Sequence, residues 1–500
     1  MAGRQATWVA LWLVCTAAAQ TRSEVGSPLI RHFSPKAYQA SPQNWSAVQD
    51  QRGVLYFANN DCVLEHDGVS WRKILIPGGS IVRSVATDGE LVYAGARGEF
   101  GYLNPNEHGA AVYHSLTSLL PKDAPRFADV WSIVVNRTGV YFGSYQGIFR
   151  WSRTEKTVKI WKPQSRFGRL LGTGDELFVV SVGQGLLRMK GDRLEPVAGG
   201  AAITQPEARA AFSWAGELTL ATNNGLFRVT PTGLEAKPLP AAVLAGGNRI
   251  YTSIPLWNGS LALGTSLGGV VILAPGGAIE QIVTKENGLA GVGVSSLFED
   301  REGGLWITSG AGIDRADLAM TRFAQGEGLL GATYTVARQG NALYAGTDVG
   351  LFRLGGTKDG IAAFESIKAA SKAVLVVVPT PHLLLVGAMN GVLAVDGASA
   401  LPVTFTRVVY DISPSRRDPS LVYAAGLEGL ASLRWNGSAW KQERMLPASG
   451  DDFRSVLEDP DGRIWVATNK DILRVDWSPA EGVVERFGVS AGVPPGFKNV

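Results

Sequence analysis

The stretch SSLFEDREGGLWITSGAGIDRAD, residues 295–317, decides the fold of this chain. Its apolar segments alternate with turns that are charged or rich in glycine, a pattern typical of short strands joined by tight turns. The pattern predicts three strands here and a fourth shortly afterwards, which are Ser295–Asp300, Leu305–Ser309, Ile313–Arg315 and Thr321–Phe323. Four short antiparallel strands in about forty residues are typical of one blade of a β-propeller.

The same unit recurs along the whole chain. Aligned on Trp306, eleven copies centre on Tyr56, Tyr93, Tyr141, Phe178, Thr219, Ala262, Trp306, Tyr344, Leu385, Tyr423 and Trp465. Their mean spacing is about 41 residues, which lies in the range of multi-stranded β repeats. The second strands are apolar on both faces, so each sheet is expected to pack between two others. The competing architecture, a parallel solenoid, has shorter rungs and lacks the alternation of strand and turn.

Small residues recur at two places in the repeat. Two positions after the Trp306 position the residue is Gly or Ala in nine of the eleven copies. This predicts that adjacent sheets approach closely there. Four positions further on, glycine recurs in seven copies, where we expect a positive φ. These glycines are Gly147, Gly225, Gly268, Gly312, Gly350, Gly391 and Gly429.

Composition excludes several classes of protein. The chain has 500 residues, of which 45% are hydrophobic and only 18% charged, and it contains 61 Gly and 25 Pro. This composition suits many short strands and argues against a helix bundle or a disordered chain. The net charge of +3, without any block of Lys and Arg, gives no support to nucleic-acid binding. The five histidines show no metal-ligand spacing, and we predict neither a metal nor a cofactor.

The N-terminus resembles a secretory signal peptide. Arg4 precedes an apolar run, residues 6–14, and small residues up to Ala19 form a cleavage site, so residues 1–19 are the predicted signal. The apolar run is short for a membrane anchor, and Val14 is a poor residue before a lipoprotein Cys15. Beyond the signal only Cys62 remains, so no internal disulfide is possible. Export without disulfides favours the periplasm or cell envelope of a bacterium.

Two repeats carry a resemblance to a known family. LFEDREGGLWITSGAGIDR (residues 297–315) and VLEDPDGRIWVATNKDILR (residues 456–474) resemble the two-component regulator propeller repeat. Earlier stretches, such as NWSAVQDQRGVLYFANN (44–60) and RFADVWSI (126–133), resemble the ligand-binding sensor domain of hybrid two-component, triple-tyrosine sensors. The resemblance implies two seven-bladed extracytoplasmic propellers, a triple-tyrosine module, a membrane helix and a cytoplasmic output domain. It also implies oligosaccharide ligands.

The chain departs from that plan in its number of repeats, which is eleven instead of fourteen. We predict a lead-in at 20–40, a seven-bladed first propeller at 41–317 and an incomplete second ring at 318–500. A kinase or cyclase output would lie beyond residue 500. Homodimerisation through absent C-terminal modules, and membrane attachment through an absent C-terminal helix, are further expectations.

A candidate binding site follows from propeller geometry. The innermost strand of each blade begins on the face that carries the turns between the second and third strands. Residues about ten positions before the Trp306 position, together with those turns, are therefore expected near the mouth of the channel. The candidate ligand-binding residues are Trp45, Arg83, Arg97, Trp131, Tyr145, Arg169, Arg209 and Tyr251. Aromatic rings and guanidinium groups suit an oligosaccharide or another small polar ligand, especially an acidic one.

Alternatives to this site and to the sensor function stay open. Trp45 and Trp131 could instead be core residues between blades, with the arginines paired to neighbouring acids. Asp300 with Glu302, and Asp459 with Asp461, could be carboxylate pairs of a glycosidase, but their recurrence at one turn favours a structural role. We therefore expect a non-enzymatic sensor module, with a secreted glycosidase or polysaccharide lyase and an envelope scaffold as alternatives.

Overall fold

A computed structural model describes residues 24–494, except for residues 108, 204–206, 359 and 478–482. The predicted signal peptide lies outside the described residues. The described part of the chain forms eleven four-stranded antiparallel sheets, one for each repeat, so the predicted all-β propeller class is confirmed. The described helices are short. One is an α-helix, Pro35–Tyr38, and the others are 3-10 turns: Pro77–Gly79, Thr117–Leu119, Gly200–Ala202, Ala241–Gly247, Gln325–Glu327, Lys368–Ala370 and Val489–Ala491.

Seven blades come first along the chain, and the strands of each run in order from innermost to outermost. Blade 1 is Asn44–Gln49, Leu55–Asn59, Val63–His66 and Trp71–Ile74. Blade 2 is Val82–Thr87, Val92–Ala96, Glu99–Pro105 and Ala111–Ser115. Blade 3 is Val130–Asn136, Gly139–Ser144, Gly147–Ser152 and Thr157–Trp161, and blade 4 is Phe167–Thr173, Glu176–Ser181, Gly185–Lys190 and Arg193–Pro196. Blade 5 is Ala208–Trp214, Glu217–Thr222, Gly225–Thr230 and Gly233–Lys237, and blade 6 is Ile250–Pro255, Leu261–Thr265, Val270–Leu273 and Ile279–Val283. Blade 7 is Val294–Glu299, Gly304–Ser309, Ile313–Arg322 and, from the other end of the chain, Ser27–Phe33.

Four further blades follow. Blade 8 is Thr333–Gln339, Ala342–Thr347, Gly350–Lys358 and Ile361–Ser366. Blade 9 is Val374–Val378, Leu384–Ala388, Gly391–Asp396 and Ser399–Thr404. Blade 10 is Val409–Pro414, Leu421–Gly426, Gly429–Trp435 and Trp440–Pro447, and blade 11 is Phe453–Glu458, Ile464–Thr468, Ile472–Asp476 and Val483–Phe487.

Contacts between innermost strands define a closed ring. In blades 1 to 7 each innermost strand packs against the innermost strand of the next blade, and that of blade 7 returns to that of blade 1. Blades 8 to 11 contact one another in series in the same way. The side chains of the second strands are mostly buried, as their apolar sequences predicted. This arrangement places the starts of seven innermost strands around one end of a central channel.

The outermost strand of blade 7 corrects the sequence prediction. Thr321–Phe323 was expected as the fourth strand, but the third strand extends over Ile313–Arg322. The fourth position is filled by Ser27–Phe33, which pairs antiparallel with that strand from Phe33 opposite Ile313 to Ser27 opposite Arg322. Part of the predicted lead-in therefore belongs to the ring, because the edge of blade 7 is paired by the start of the chain.

The positions of small residues are confirmed as close contacts between sheets. A Cβ added at Gly95 would lie 2.5 Å from Cγ1 of Val130 on the next blade, and one at Gly264 would lie 2.6 Å from Cγ1 of Val294. The expectation of positive φ at the second glycine position is only partly correct. It holds for Gly312, Gly350, Gly391 and Gly429, and it is wrong for Gly147, Gly225 and Gly268. In blade 6 the neighbouring Gly269 takes the positive φ instead.

Candidate functional site

A β-bulge lies near the start of every innermost strand. In all eleven blades the register of the first strand pair shifts after its first residue, which leaves an unpaired residue there. A bulge redirects the side chain of its extra residue, and bulges are over-represented at the rims of barrels and beside active sites. In the ring the bulged residues are Trp45, Arg83, Trp131, Arg169 (with Gly168), Arg209, Tyr251 and Ser295.

Four aromatic and cationic side chains meet on one side of the channel. The Arg83 guanidinium lies 4.4 Å from the ring of Trp45 and 4.6 Å from that of Trp131. The two indoles stand edge to face at 5.7 Å, and Trp131 stacks on Tyr145 at 6.0 Å. Since Trp45 belongs to blade 1 and Trp131 to blade 3, these side chains meet in front of blade 2.

A second group joins the first through Arg169. Its guanidinium lies 5.8 Å from the ring of Trp131 and 5.0 Å from the ring of Tyr251, and its Nη2 donates to the Tyr251 hydroxyl at 3.0 Å. Arg209 lies over the same Tyr251 ring at 4.9 Å. We call the connected set the ring-mouth cluster; its members are Trp45, Arg83, Trp131, Tyr145, Arg169, Arg209 and Tyr251.

Of the eight candidate residues, only Arg97 stands apart from the cluster. Its side chain is exposed, and it adjoins the cluster through a backbone bridge to Asp129. Among the described residues no contact joins its guanidinium to the others. The structure also adds Arg166, which lies 4.0 Å over the ring of Tyr145 and comes just before the innermost strand of blade 4. Arg166 was not predicted from the spacing of the repeats, because it precedes the innermost strand instead of lying within it.

The turns between second and third strands hold the cluster, as the propeller geometry predicted. Trp45 Nε1 donates to Asn60 Oδ1 at 2.8 Å, and Arg209 Nε donates to Asn223 Oδ1. Gln43 Nε2 donates to Ser295 Oγ at 3.0 Å, which links blade 1 to blade 7. Trp45 and Arg209 are therefore held in place by these turns before any ligand arrives.

A cavity opens beside the cluster, between blades 6, 7 and 1. Its volume is about 450 Å³, and its lining includes Gln43, Trp45, Tyr251, Ser266, Val292 and Ser295. A larger cavity of about 810 Å³ lies elsewhere, between blades 8 and 9, where Arg353 and His382 are among its lining residues. We place the candidate site at the smaller cavity and the adjoining cluster, because the bulged residues Trp45, Tyr251 and Ser295 of three blades line that cavity.

Charge is unevenly balanced within the cluster. Arg83 Nε pairs with Asp129 Oδ1 at 3.0 Å, and both side chains are 14% exposed. For Arg169 and Arg209, by contrast, no carboxylate of the described residues lies within 4 Å. Burial, and next the positive charge of Arg169, lower the pKa of the Arg209 guanidinium. Within the part of the chain that the structure describes, Arg169 and Arg209 therefore carry positive charge without a paired carboxylate.

The recurrent acidic turns have a structural role, as favoured from the sequence. Asp300 Oδ1 accepts from the Gly304 amide at 2.7 Å, while Oδ2 accepts from Trp306 Nε1 at 2.7 Å and Arg315 Nε at 2.8 Å. Asp459 similarly accepts from the Arg463 amide at 2.8 Å and from Trp465 Nε1 at 3.1 Å. Both carboxylates tie a turn to the aromatic residue of the repeat, which explains why acid and aromatic recur together.

No helix in the described part of the chain is long and apolar enough to cross a membrane.

Comparison with known proteins supports the fold. No curated protein sequence matches this chain. The extracellular domain of the putative hybrid two component system BT3049 from B. thetaiotaomicron is similar in structure, with a TM-score of 0.68, 17% identity and coverage of 93% of this chain and 67% of that chain. The corresponding domain of BT4673 from B. thetaiotaomicron has a TM-score of 0.48 at 16% identity, with coverage of 93% and 68%. Virginiamycin B lyase from Staphylococcus aureus has a TM-score of 0.44 at 11% identity, with coverage of 58% and 98%, which is too low to bear on function.

One repeat is also recognised by its sequence. Residues 448–470 match the family model described as two component regulator propeller. They span the first two strands of blade 11 and include the acidic turn at Asp459. The resemblance predicted for VLEDPDGRIWVATNK is thereby confirmed. The chain thus has the β-propeller fold and carries a two-component regulator propeller repeat in blade 11.

Proposed function

We propose that this chain is an extracytoplasmic ligand-binding sensor module of a bacterial signal-transduction protein. It binds an oligosaccharide or another small polar ligand at the ring mouth and signals to an output domain outside this sequence. The observation that carries the proposal is the ring-mouth cluster, in which bulged residues of six blades gather aromatic rings and guanidinium groups at one end of the channel.

The chemistry of the cluster suits a sugar. Aromatic faces stack on the apolar faces of a pyranose ring, and the fixed donors of Arg bind its oxygen atoms. Trp45 and Trp131 are only partly buried, whereas a core tryptophan such as Trp306 is 3% exposed. Trp131 Nε1 is a buried donor without an acceptor among the described residues, and such a donor favours the approach of a ligand or water oxygen.

The relatives and the N-terminus support the cellular role. The extracellular domain of a putative hybrid two component system shares the fold over most of this chain. A predicted signal peptide at residues 1–19 accords with export. A ligand that contacts several blades and binds one arrangement of them better than another shifts the population towards that arrangement, and this is a route to signalling.

A binding experiment with a matched variant tests this function. The chain from residue 20 onward is screened by thermal shift against neutral and acidic oligosaccharides, and hits are measured by calorimetry. A ligand that binds only the native state raises the melting temperature. Trp131→Ala is expected to weaken binding roughly tenfold or more, about 1.4 kcal/mol. Trp257→Ala is the control, because Trp257 is 70% exposed and outside the cluster.

The outcomes separate the alternatives. Binding of an intact sugar that depends on Trp131 supports the sensor module. Cleavage of the sugar, detected by chromatography of the products, would replace it with a secreted glycosidase or lyase. A lack of response to every sugar would contradict the oligosaccharide ligand and favour the envelope scaffold.

A further inference from the structure

Two arginines of adjacent blades face one tyrosine in the ring-mouth cluster. Arg169 comes from blade 4 and Arg209 from blade 5, and their guanidiniums lie 5.0 Å and 4.9 Å from the ring of Tyr251 on blade 6. Both side chains occupy bulge positions and are partly buried. The fold therefore brings two positive charges to one place instead of separating them.

Other arginines at equivalent positions have a counter-ion. Arg83, at the bulge of blade 2, pairs with Asp129. Arg454, at the bulge of blade 11, lies 4.1 Å over Tyr410 and pairs with Asp452 at 2.5 Å. Arg454 thus lies over the tyrosine of the preceding blade, as Arg209 lies over that of the following blade, but Arg454 also has a paired acid.

The Arg169 and Arg209 pair lacks such an acid. Within the described ranges, the polar partners of these guanidiniums are the Tyr251 hydroxyl and the Asn223 amide oxygen, which are both neutral. Burial and the positive charge of Arg169 lower the pKa of Arg209 more strongly than the negative charge of Glu207 raises it. Two partly buried like charges destabilise each other, and an anion between them relieves the repulsion.

We propose that Arg169 and Arg209 form an anion-binding subsite that takes the carboxylate of a uronic acid residue in an acidic oligosaccharide. This inference rests on the proposed function and names its ligand class. A guanidinium binds a carboxylate through two parallel N–H donors, so two adjacent guanidiniums hold the group from two sides. The Trp131 ring, 5.8 Å from the Arg169 guanidinium, lies where a neighbouring sugar ring can stack.

Paired probes that differ only in charge test the subsite. Oligogalacturonate, hyaluronan oligosaccharides and alginate oligosaccharides are each compared with their uncharged methyl esters by calorimetry, and inorganic sulfate serves as a minimal anion. At least one acid is expected to bind roughly tenfold or more tightly than its ester, because the ester removes the charge-assisted hydrogen bonds. Affinity for the acid is also expected to fall with added salt, while affinity for the ester stays nearly constant.

Single substitutions test whether Arg169 and Arg209 cause the preference for acid over ester. Arg169→Gln and Arg209→Gln are each expected to remove the preference for acid over ester. Arg193→Gln is the control; it removes the same charge from an exposed position on the outermost strand of blade 4 and is expected to keep the preference. Without ligand, Arg209→Gln is expected to leave the melting temperature unchanged or higher, because it relieves repulsion.

The results distinguish this inference from the proposed function. Equal binding of acids and esters, unchanged in both glutamine variants, overturns the anion subsite and leaves the sensor module standing. Sulfate binding that is lost in Arg169→Gln, without binding of any oligosaccharide, supports the subsite and contradicts the proposed sugar ligand. If neither sulfate nor any acid binds, the subsite is wrong. Should a variant fail to fold, the salt dependence of binding to the unaltered chain remains as the test: the subsite requires affinity for the acid, but not for the ester, to fall with added salt.

Discussion

At the scale of single residues, Asp300 shows how the repeat holds its own turn. The carboxylate is 2% exposed and accepts hydrogen bonds from a backbone amide, an indole and a guanidinium. Burial alone would raise the pKa of Asp300, but the hydrogen bonds from Arg315, the Gly304 amide and Trp306 outweigh it, and the pKa lies below its ordinary value. The negative charge of Asp300 therefore stabilises blade 7.

Replacing this charge is expected to destabilise the ring. Asp300→Asn leaves the Arg315 guanidinium without its counter-ion, and we expect the free energy of unfolding to fall by about 2–3 kcal/mol, measured by denaturant titration. This is below the cost of breaking a fully buried pair because Arg315 is partly exposed. Asp459→Asn is the matched control in blade 11, where the carboxylate is more exposed and a smaller loss is expected. Equal losses in the two variants would contradict the role assigned to burial.

The same variant isolates a pH dependence. A carboxyl group whose pKa is lower in the folded state stabilises the protein above its unfolded pKa, which is about 4. That contribution is lost as the pH falls through the folded pKa. The difference in unfolding free energy between the unaltered chain and Asp300→Asn should be constant from pH 7 to pH 5 and shrink below pH 4. A constant difference down to pH 2 would show that the Asp300 carboxylate contributes through its shape and not its charge.

At the scale of the element, each blade is fitted to its neighbour at a small residue of the second strand. Gly95 illustrates the contact, since an added Cβ would lie 2.5 Å from both Val130 Cγ1 and Ser84 Oγ. The next blade cannot move away without disturbing its own neighbour in a closed ring. The glycine therefore sets the distance between two sheets.

Filling that contact is expected to destabilise the propeller. Gly95→Ala should lower the free energy of unfolding by about 1–3 kcal/mol, the usual effect of overpacking a core. Gly276→Ala is the control, because that glycine has open space around its Cβ position and no positive φ. Chemical denaturation of the two variants measures the difference. A neutral effect of Gly95→Ala would mean that blades 2 and 3 are free to separate.

At the scale of the whole molecule, the start of the chain ties distant parts together. Ser27–Phe33 completes blade 7, and Phe33 stacks on Trp306 at 5.5 Å. Just before it, Glu24 pairs with Arg338 of blade 8 at 2.8 Å, and the Gly26 carbonyl accepts from Gln281 of blade 6 at 2.9 Å. Phe33 also contacts Trp71 of blade 1 at 5.5 Å, so this short segment contacts blades 1, 6, 7 and 8.

Removing this segment is expected to open the ring. A chain that begins at Ser34 loses the partner of the Ile313–Arg322 strand, so its thermal unfolding should shift to lower temperature and its amides at 313–322 should exchange faster. A chain that begins at Glu24 is the control and should behave like the longer one. Calorimetry and hydrogen exchange provide the measurements. Equal protection of residues 313–322 in both chains would contradict closure by the N-terminal strand.

Much of the site could be predicted from the sequence, because the repeat places equivalent residues at equivalent points of each blade. Seven of the eight candidate residues form the ring-mouth cluster. Tyr410, the bulged residue of blade 10, was not predicted. It lies thirteen residues before Tyr423, because the turn between its first two strands is longer, whereas the candidate residues were taken about ten residues before the Trp306 position. The β-bulges themselves could not be predicted, because they arise from pairing between two strands and leave no pattern within one.

The number of blades, the succession of strands within every blade except blade 7, and the small contact residues were determined by the sequence alone. These features depend on strand alternation and turn chemistry, which act between residues close together in the chain. Only the tertiary structure decided that Ser27–Phe33 pairs with a strand almost 300 residues away, and that Arg83 has a carboxylate partner while Arg169 and Arg209 have none within 4 Å among the described residues. Pairings between distant segments depend on where the closed ring places them, and that position is a property of the whole fold.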